Sequence, residues 1–371
     1  MATFEDQADS SRMDDEIKIW NYRKLKIQRQ LGRGSFATVY LANFDEPEVG
    51  MTNPVVMKVM HDSVAKGNAA RNLFMKEAKL LTGLRHKNIV RMYGICANPL
   101  VIILEYVVFD FSPFSRDTKV NTLDMFLSEI AQMPKSDREF DHLIPAIAID
   151  VTKGLSHLHQ LEIAHRDLKP MNILISNQHY CALEDRQQIR RLKAARPVVC
   201  KLADFGESRS QLLQTNGLND PGTSQGFRGT IAFMAPEILL PEGMMQGNKL
   251  TLDDLKKVDI WALGIVFFCL INPGDACPYD RDGYEHMIDI INLQRQRKRP
   301  SCDPDYHIKH STVWARVKDV FHLCTNHDSS ERPRASEVLS GLHARAPGNH
   351  GILMTSKFLT NFPSISSSHH D

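Results

Sequence analysis

Within eight residues, His165-Arg-Asp-Leu-Lys-Pro-Met-Asn172, the sequence sets a carboxylate (Asp167), an ammonium (Lys169) and a carboxamide (Asn172) on one short loop. That set suits phosphoryl transfer. Asp167 can accept a hydroxyl proton, Lys169 can balance phosphate charge, and Asn172 offers an oxygen to a divalent metal. Other groups would have to join them: Lys58, closing the run Val55-Val-Met-Lys58; Glu77; the carboxylate of Asp204-Phe-Gly206; and the glycines of Leu31-Gly-Arg-Gly-Ser-Phe-Ala-Thr-Val39.

Each of these signals is weak alone. The Gly-x-Gly-x-x-Ala form of residues 32–37 also fits a dinucleotide-binding fingerprint, which requires a helix directly afterwards. Thr38-Val-Tyr-Leu-Ala42 instead continues as a strand, so a glycine-rich hairpin over phosphates is preferred. Ala37 stands where a third glycine is often found, and it fits there if its φ is negative. Lys58 and Glu77, taken singly, read as surface charges. Asp-Phe-Gly is a common turn; its place between residues 165–172 and Ala235-Pro-Glu237 gives it weight.

The elements that would position these groups can be read from periodicity. Leu25–Ala42 alternates like a strand pair broken at Gly32 and Gly34, Val55–Met60 is β-rich, and Asn43–Pro54 connects them. Ala69–Leu84 carries Leu73, Glu77, Leu80 and Leu84 at helical spacing. Strands are expected at Ile89–Ile95 and Val101–Val108. After Asp110 the pattern turns helical, with helices expected at Leu123–Met133, Ile144–Leu161, Val258–Leu270, Glu285–Gln294, Val313–Cys324 and Ala335–His343.

In their order along the chain, Gly32/Gly34, Lys58, Glu77, His165–Asn172, Asp204–Gly206 and Ala235–Glu237 resemble the eukaryotic protein kinase family, over residues 24–345. The resemblance implies an α+β, bilobal fold: a small β-rich lobe with one helix (24–105), a hinge (105–108) and a larger, mainly helical lobe (109–345). A polar extension (1–23) would precede it, and a disordered tail (346–371) would follow. It implies ATP and Mg²⁺ as cofactors, with Asn172 and Asp204 as metal ligands. Asp167 would be the catalytic base, Lys169 would contact the γ-phosphate, and Lys58, held by Glu77, would grip the α- and β-phosphates. Leu31, Gly32 and Gly34 would cover the nucleotide. Adenine would lie between Val39 and Val56 above and Leu174 below, read by the backbone of Glu105–Val107, with Leu104 as gatekeeper. In the same resemblance, Asp259 anchors the catalytic loop and Arg332 pairs with Glu237.

Leu168-Lys-Pro170 and Thr230 resemble the serine/threonine kinases, which implies protein substrates with Ser or Thr acceptors. His86–Val90, Thr122–Leu127 and Phe233–Ala235 resemble the tyrosine-kinase-like group, which leaves dual specificity open. Arg166, beside the base, suggests activation by a phosphate on the segment Asp204–Glu237. Ser208, Ser210, Thr215, Thr223 and Ser224 are the candidates there, Thr223 and Ser224 first. Two readings compete with an active kinase: a non-catalytic kinase-like scaffold and a dinucleotide-binding enzyme.

Two stretches exceed the family pattern. Gln178–Pro197, with Arg186, Arg190, Arg191 and Lys193 at helical spacing, reads as a solvated insert helix or a dock for an acidic partner, and it could displace Asp204. Asp110–Asn121 follows the hinge. The run Arg295–Arg299 reads as an exposed helix end or an import patch, and His157 and His159 as helix-end residues. A net charge of +1 gives no reason to expect nucleic acid. Seven cysteines without Cys-x-x-Cys point to reduced thiols, cytoplasmic or nuclear. The opening residues are polar and acidic, unlike a secretory signal. The longest apolar run, Ile260–Ile271, is too short to span a bilayer.

Overall fold

A computed structural model of the chain describes residues 17–34, 37–45, 53–61, 68–133, 140–181, 183–206, 208–210, 231–240, 250–274, 277–283, 286–303 and 312–343. The amino-terminal lobe is built on β1 (Leu25–Arg33), β2 (Ala37–Phe44), β3 (Val55–Met60), helix α1 (Asn68–Thr82), β4 (Met92–Cys96) and β5 (Val101–Glu105). The strands form one antiparallel sheet in the order β1-β2-β3-β5-β4.

Strand alternation divides this sheet into two faces. Ala42, Phe44, Val55, Met57, Val101 and Ile103 form a small upper core, covered by Trp20 and Tyr22. The opposite face follows from register: Val39 lies across from Lys58, Val56 from Leu41 and Leu104, and Lys58 from Ile102. A one-residue slip would turn Lys58 into the upper core, so the apolar pattern itself fixes where the ammonium points.

The second lobe begins after the hinge with a hairpin of β6 (Phe109–Asp110) and β7 (Lys119–Val120). Helices α2 (Leu123–Ala131) and α3 (Ile144–Gln160) follow, then β8 (Ile163–Ala164) and β9 (Ile173–Ser176). Next come α4 (Gln178–Cys181), α5 (Arg186–Ala195), β10 (Val199–Leu202) and β11 (Arg209–Ser210). The remaining helices are α6 (Pro236–Leu239), α7 (Leu252–Ile271), α8 (Met287–Arg295), α9 (Thr312–Cys324) and α10 (Ala335–His343). No described helix is long and apolar enough to cross a membrane.

Helix α7 is the buried axis of this lobe, apolar on every side from Ile260 to Phe268. It starts six residues before the expected Val258, because Thr251 and Asp254 form a reciprocal capping box that makes its polar first turn helical. The strand expected at Ile89–Ile95 forms only from Met92. Residues 88–90 serve the lower lobe instead: Ile89 bridges Leu202, and the Asn88 side chain donates to the Cys200 carbonyl at 2.8 Å.

The described residues of both extra stretches are anchored to the lobe. Phe109, Phe111 and Phe114 of the hairpin pack with Phe126 and Phe140 at ring separations of 4.8–5.9 Å. The basic insert leaves the β9–β10 ladder intact, with Ser176 still opposite Val199. Helix α5 buries none of its residues, as expected for a solvated helix. Its root is fastened, however: Tyr180 is fully buried with its hydroxyl donating to the Pro197 carbonyl, and His179 donates to that of Arg196. Arg299, expected on an exposed helix end, is partly buried and donates to Thr325.

Residues 1–16 and 346–371 lie outside the described residues, as do Thr215, Thr223, Ser224 and Thr230.

Candidate active site

Lys58, on the cleft face of β3, donates to both carboxylate oxygens of Glu77 at 2.8 Å and to Asp204 Oδ1 at 3.0 Å. One ammonium therefore joins strand β3, helix α1 and the turn after β10, although Asp204 is 146 residues away in sequence. Glu77 is 6% exposed, so it depends on this partner. Burial alone would lower the Lys58 pKa, but Glu77 and Asp204 together raise it above its ordinary value, keeping the ammonium charged. Burial likewise pushes the Asp204 carboxyl up, and Lys58 more than offsets this, leaving it below the usual carboxylate value. Asp204 stays ionised and half exposed to the cleft.

Asp204 has φ +62° and Arg166 has φ +70°, both in the left-handed region that non-glycine residues seldom occupy. Specific bonds hold these conformations. The buried Asp259 on α7 accepts the backbone N–H of His165 (2.8 Å) and of Arg166 (2.7 Å). His159 Nε2 donates to the same carboxylate at 2.9 Å, so His159 is a brace for the loop and not only a helix-end residue. His165 Nδ1 accepts from the Asp167 N–H at 3.3 Å while Nε2 donates to the Ala203 carbonyl at 3.1 Å. Ala203 N–H in turn donates to the Asn172 carbonyl at 2.9 Å. The residue before Asp204 is thus pinned to the 165–172 loop from both sides. Phe205 is buried against His165, and the insert displaces none of this.

Asp167 is held by two neighbours of its own loop. Lys169 Nζ donates to its oxygens at 2.8 and 3.0 Å, and Asn172 Nδ2 donates to its backbone carbonyl at 2.7 Å and to Oδ2 at 2.8 Å. Using its amino group here leaves the Asn172 carboxamide oxygen as a ligand. With the free oxygen of Asp204 it makes a pair of hard oxygen donors, which fits Mg²⁺, a cation that keeps water and phosphate in its remaining positions.

A Cβ at Gly32 would meet nothing within 4 Å, so β1 leaves open space at this position, where a phosphate tail could run. Ala37 is not among the positive-φ residues, and β2 follows it rather than a helix, which removes the dinucleotide fingerprint. Leu31, Val39, Val56, Leu104 and Leu174 are all partly exposed apolar side chains, available to a flat base. Glu105 ends β5, and its carboxylate accepts from Lys201 and from the Arg91 N–H, both at 2.8 Å. Val107 follows, 4% exposed. Glu237 accepts from Arg332 at 2.6 and 2.8 Å; the arginine side chain is fully buried and the glutamate is not. Ser208, one of the candidate phosphorylation sites, donates its hydroxyl to the His165 carbonyl at 3.2 Å.

Sequence reading missed His159, Lys201 and Asn121, whose roles depend on partners distant in the chain. Asn121 Nδ2 donates to the Val107 carbonyl at 2.6 Å.

The protein kinase domain family matches residues 25–342. Among characterised proteins, the chain is 27% identical over 334 residues to a probable serine/threonine-protein kinase of Dictyostelium discoideum, covering 89% of this chain and 20% of that protein. It is 25% identical over 328 residues to the NT-3 growth factor receptor of Sus scrofa (87% and 34%) and 24% identical over 351 residues to a serine/threonine-protein kinase of Arabidopsis thaliana (91% and 48%). The chain thus spans between one fifth and about half of the length of these relatives.

Proposed function

Because this chain belongs to the protein kinase domain family, we propose that it transfers the γ-phosphoryl group of ATP to serine or threonine hydroxyls of protein substrates in intracellular signalling, in the cytoplasm or nucleus. The observation that carries this reading is the convergence of Glu77 and Asp204 on Lys58, linked through the Ala203–Asn172 bond to the loop in which Lys169 and Asn172 hold Asp167. Similarity to two serine/threonine kinases and the Leu168-Lys-Pro170 sequence support the acceptor type.

In this reading the base lies between Val39 and Val56 above and Leu174 below. Its amino group donates to the Glu105 carbonyl, and the ring nitrogen beside it accepts from the Val107 N–H. Asp167 accepts a hydrogen bond from the acceptor hydroxyl and holds it in line for attack. Lys169, bonded to Asp167 in the free site, would turn to a phosphate oxygen when nucleotide binds, and Lys58 would balance charge on the triphosphate. Mg²⁺, held by Asn172 and Asp204, would supply further charge neutralisation. Such a site works by positioning and electrostatics rather than by covalent chemistry.

The test is transfer of labelled phosphate from ATP to a peptide library with Mg²⁺, followed by phosphoamino-acid identification. Label on Ser or Thr with wild-type protein, and none with Asp167→Ala, is the expected result. Absence of label with both would overturn the reading and favour a scaffold.

A further inference from the structure

Building on the base placement proposed above, we infer that Asn121 is a specificity-determining residue: it competes for the Val107 carbonyl and so disfavours a third hinge hydrogen bond from a bound purine. Three observations place it there. Its Nδ2 lies 2.6 Å from the Val107 carbonyl oxygen. Its own backbone carbonyl accepts from the Ile175 N–H at 3.0 Å, and its neighbour Thr122 bridges Leu174, the apolar floor of the site. Asn121 therefore sits at the junction of hinge and floor, and these backbone contacts fix the direction of its side chain.

The consequence is one of hydrogen-bond matching. A purine read by the Glu105 carbonyl and the Val107 N–H turns ring position 2 toward the Val107 carbonyl. Adenine carries only C–H at position 2 and makes no demand on that oxygen. A 2,6-diaminopurine presents an N–H donor at the same place. That oxygen has two lone pairs, and the Asn121 amino group already takes one of them at 2.6 Å. A second donor meets a weakened acceptor and the positive hydrogens of the first, so the ligand amino group is desolvated for less than a full bond. The side chain thereby favours adenine over purines with a donor at position 2. Removing it frees the carbonyl and should reverse the order.

The experiment measures dissociation constants of ATP and of 2,6-diaminopurine riboside triphosphate, each with Mg²⁺, for the full chain and for Asn121→Ala, Asn121→Ser and Asn121→Asp. Comparing two nucleotides within each variant cancels any loss of folded protein, and a purely structural role would weaken both equally. Wild type should bind ATP more tightly. In Asn121→Ala and Asn121→Ser the ratio should shift toward the diaminopurine by about fivefold to tenfold, the worth of one neutral hydrogen bond. Asn121→Asp keeps the shape but replaces a donor with an acceptor, so it should shift the ratio at least as far. A ratio constant within about twofold across wild type and all three variants overturns the inference while leaving the kinase reading standing. Wild-type protein that binds neither nucleotide overturns the kinase reading itself, and this inference with it.

Discussion

Asn177 and Asp110 bind each other reciprocally: the Asp110 N–H donates to Asn177 Oδ1 and Asn177 Nδ2 donates to the Asp110 carbonyl, both at 2.8 Å. Through this exchange the hairpin after the hinge is tied to the root of the basic insert. Lys193 of that insert also lies 4.2 Å above the Phe114 ring of the hairpin. The two segments that depart from the family pattern thus support each other. Asn177 is fully buried, so Asn177→Ala would strand two backbone groups without partners. A loss of about 2–3 kcal/mol in denaturant unfolding is expected; a loss below about 0.5 kcal/mol would mean that the segments hold without this bond.

Arg332 is fully buried and Glu237 only partly so, and this asymmetry makes the arginine the more sensitive end of their pair. Glu237→Gln leaves a buried guanidinium with one neutral partner and with the Asn326 and Lys257 carbonyls. It should lower stability by about 3 kcal/mol, toward the lower end for breaking a buried pair. Thermal unfolding of Glu237→Gln against wild type measures this, and unchanged midpoints would show that the carbonyls alone satisfy Arg332.

Activity and binding should separate at two residues. Asp167→Asn keeps the side-chain shape and removes the proton acceptor, so kcat should fall by about 10²–10⁴-fold with ATP affinity largely retained. Lys58→Met should weaken ATP binding and also destabilise the fold, because it leaves the buried Glu77 facing Asp204 without a cation. Equal losses of affinity in the two variants would contradict the assigned roles.

Acid should destabilise the protein through His86. Burial, then the stacked His157 at a ring distance of 4.6 Å and the nearby Lys87, Lys201 and Lys153, lower the His86 pKa from 6.5 to about 4. Its Nδ1 accepts from the Asn88 N–H at 3.1 Å, a bond that protonation would break. Between pH 6.5 and 4 the unfolded chain therefore binds a proton that the folded protein refuses, and stability falls as pH falls through this window. Asn at position 86 can accept the same N–H without titrating. His86→Asn should flatten the drop in melting temperature between pH 6.5 and 4.5, and an unaltered slope would assign the acid sensitivity to other groups.

Much of the site could be read in the chain because its chemistry is local. Asp167, Lys169 and Asn172 share one turn, and their mutual bonds follow from spacing alone. Periodicity set Lys58 on a strand and Glu77 on a helix, but taken singly both read as surface charges, and only the family resemblance paired them. Pattern reading failed at edges, where polar residues carry the structure: the first turn of α7 depends on a cap, and residues 88–90 pair across lobes instead of extending β4.

Motif order along the chain was enough to point to the family and its two lobes and to nominate the candidate site residues, because motif identity and order are written in the chain. Folding alone brings His159 onto Asp259, locks the two extra segments together through Asn177, and carries Asn121 to the hinge carbonyl. Such partners lie far apart in sequence, and a hydrogen bond depends on separations of a few tenths of an ångström that residue order does not encode.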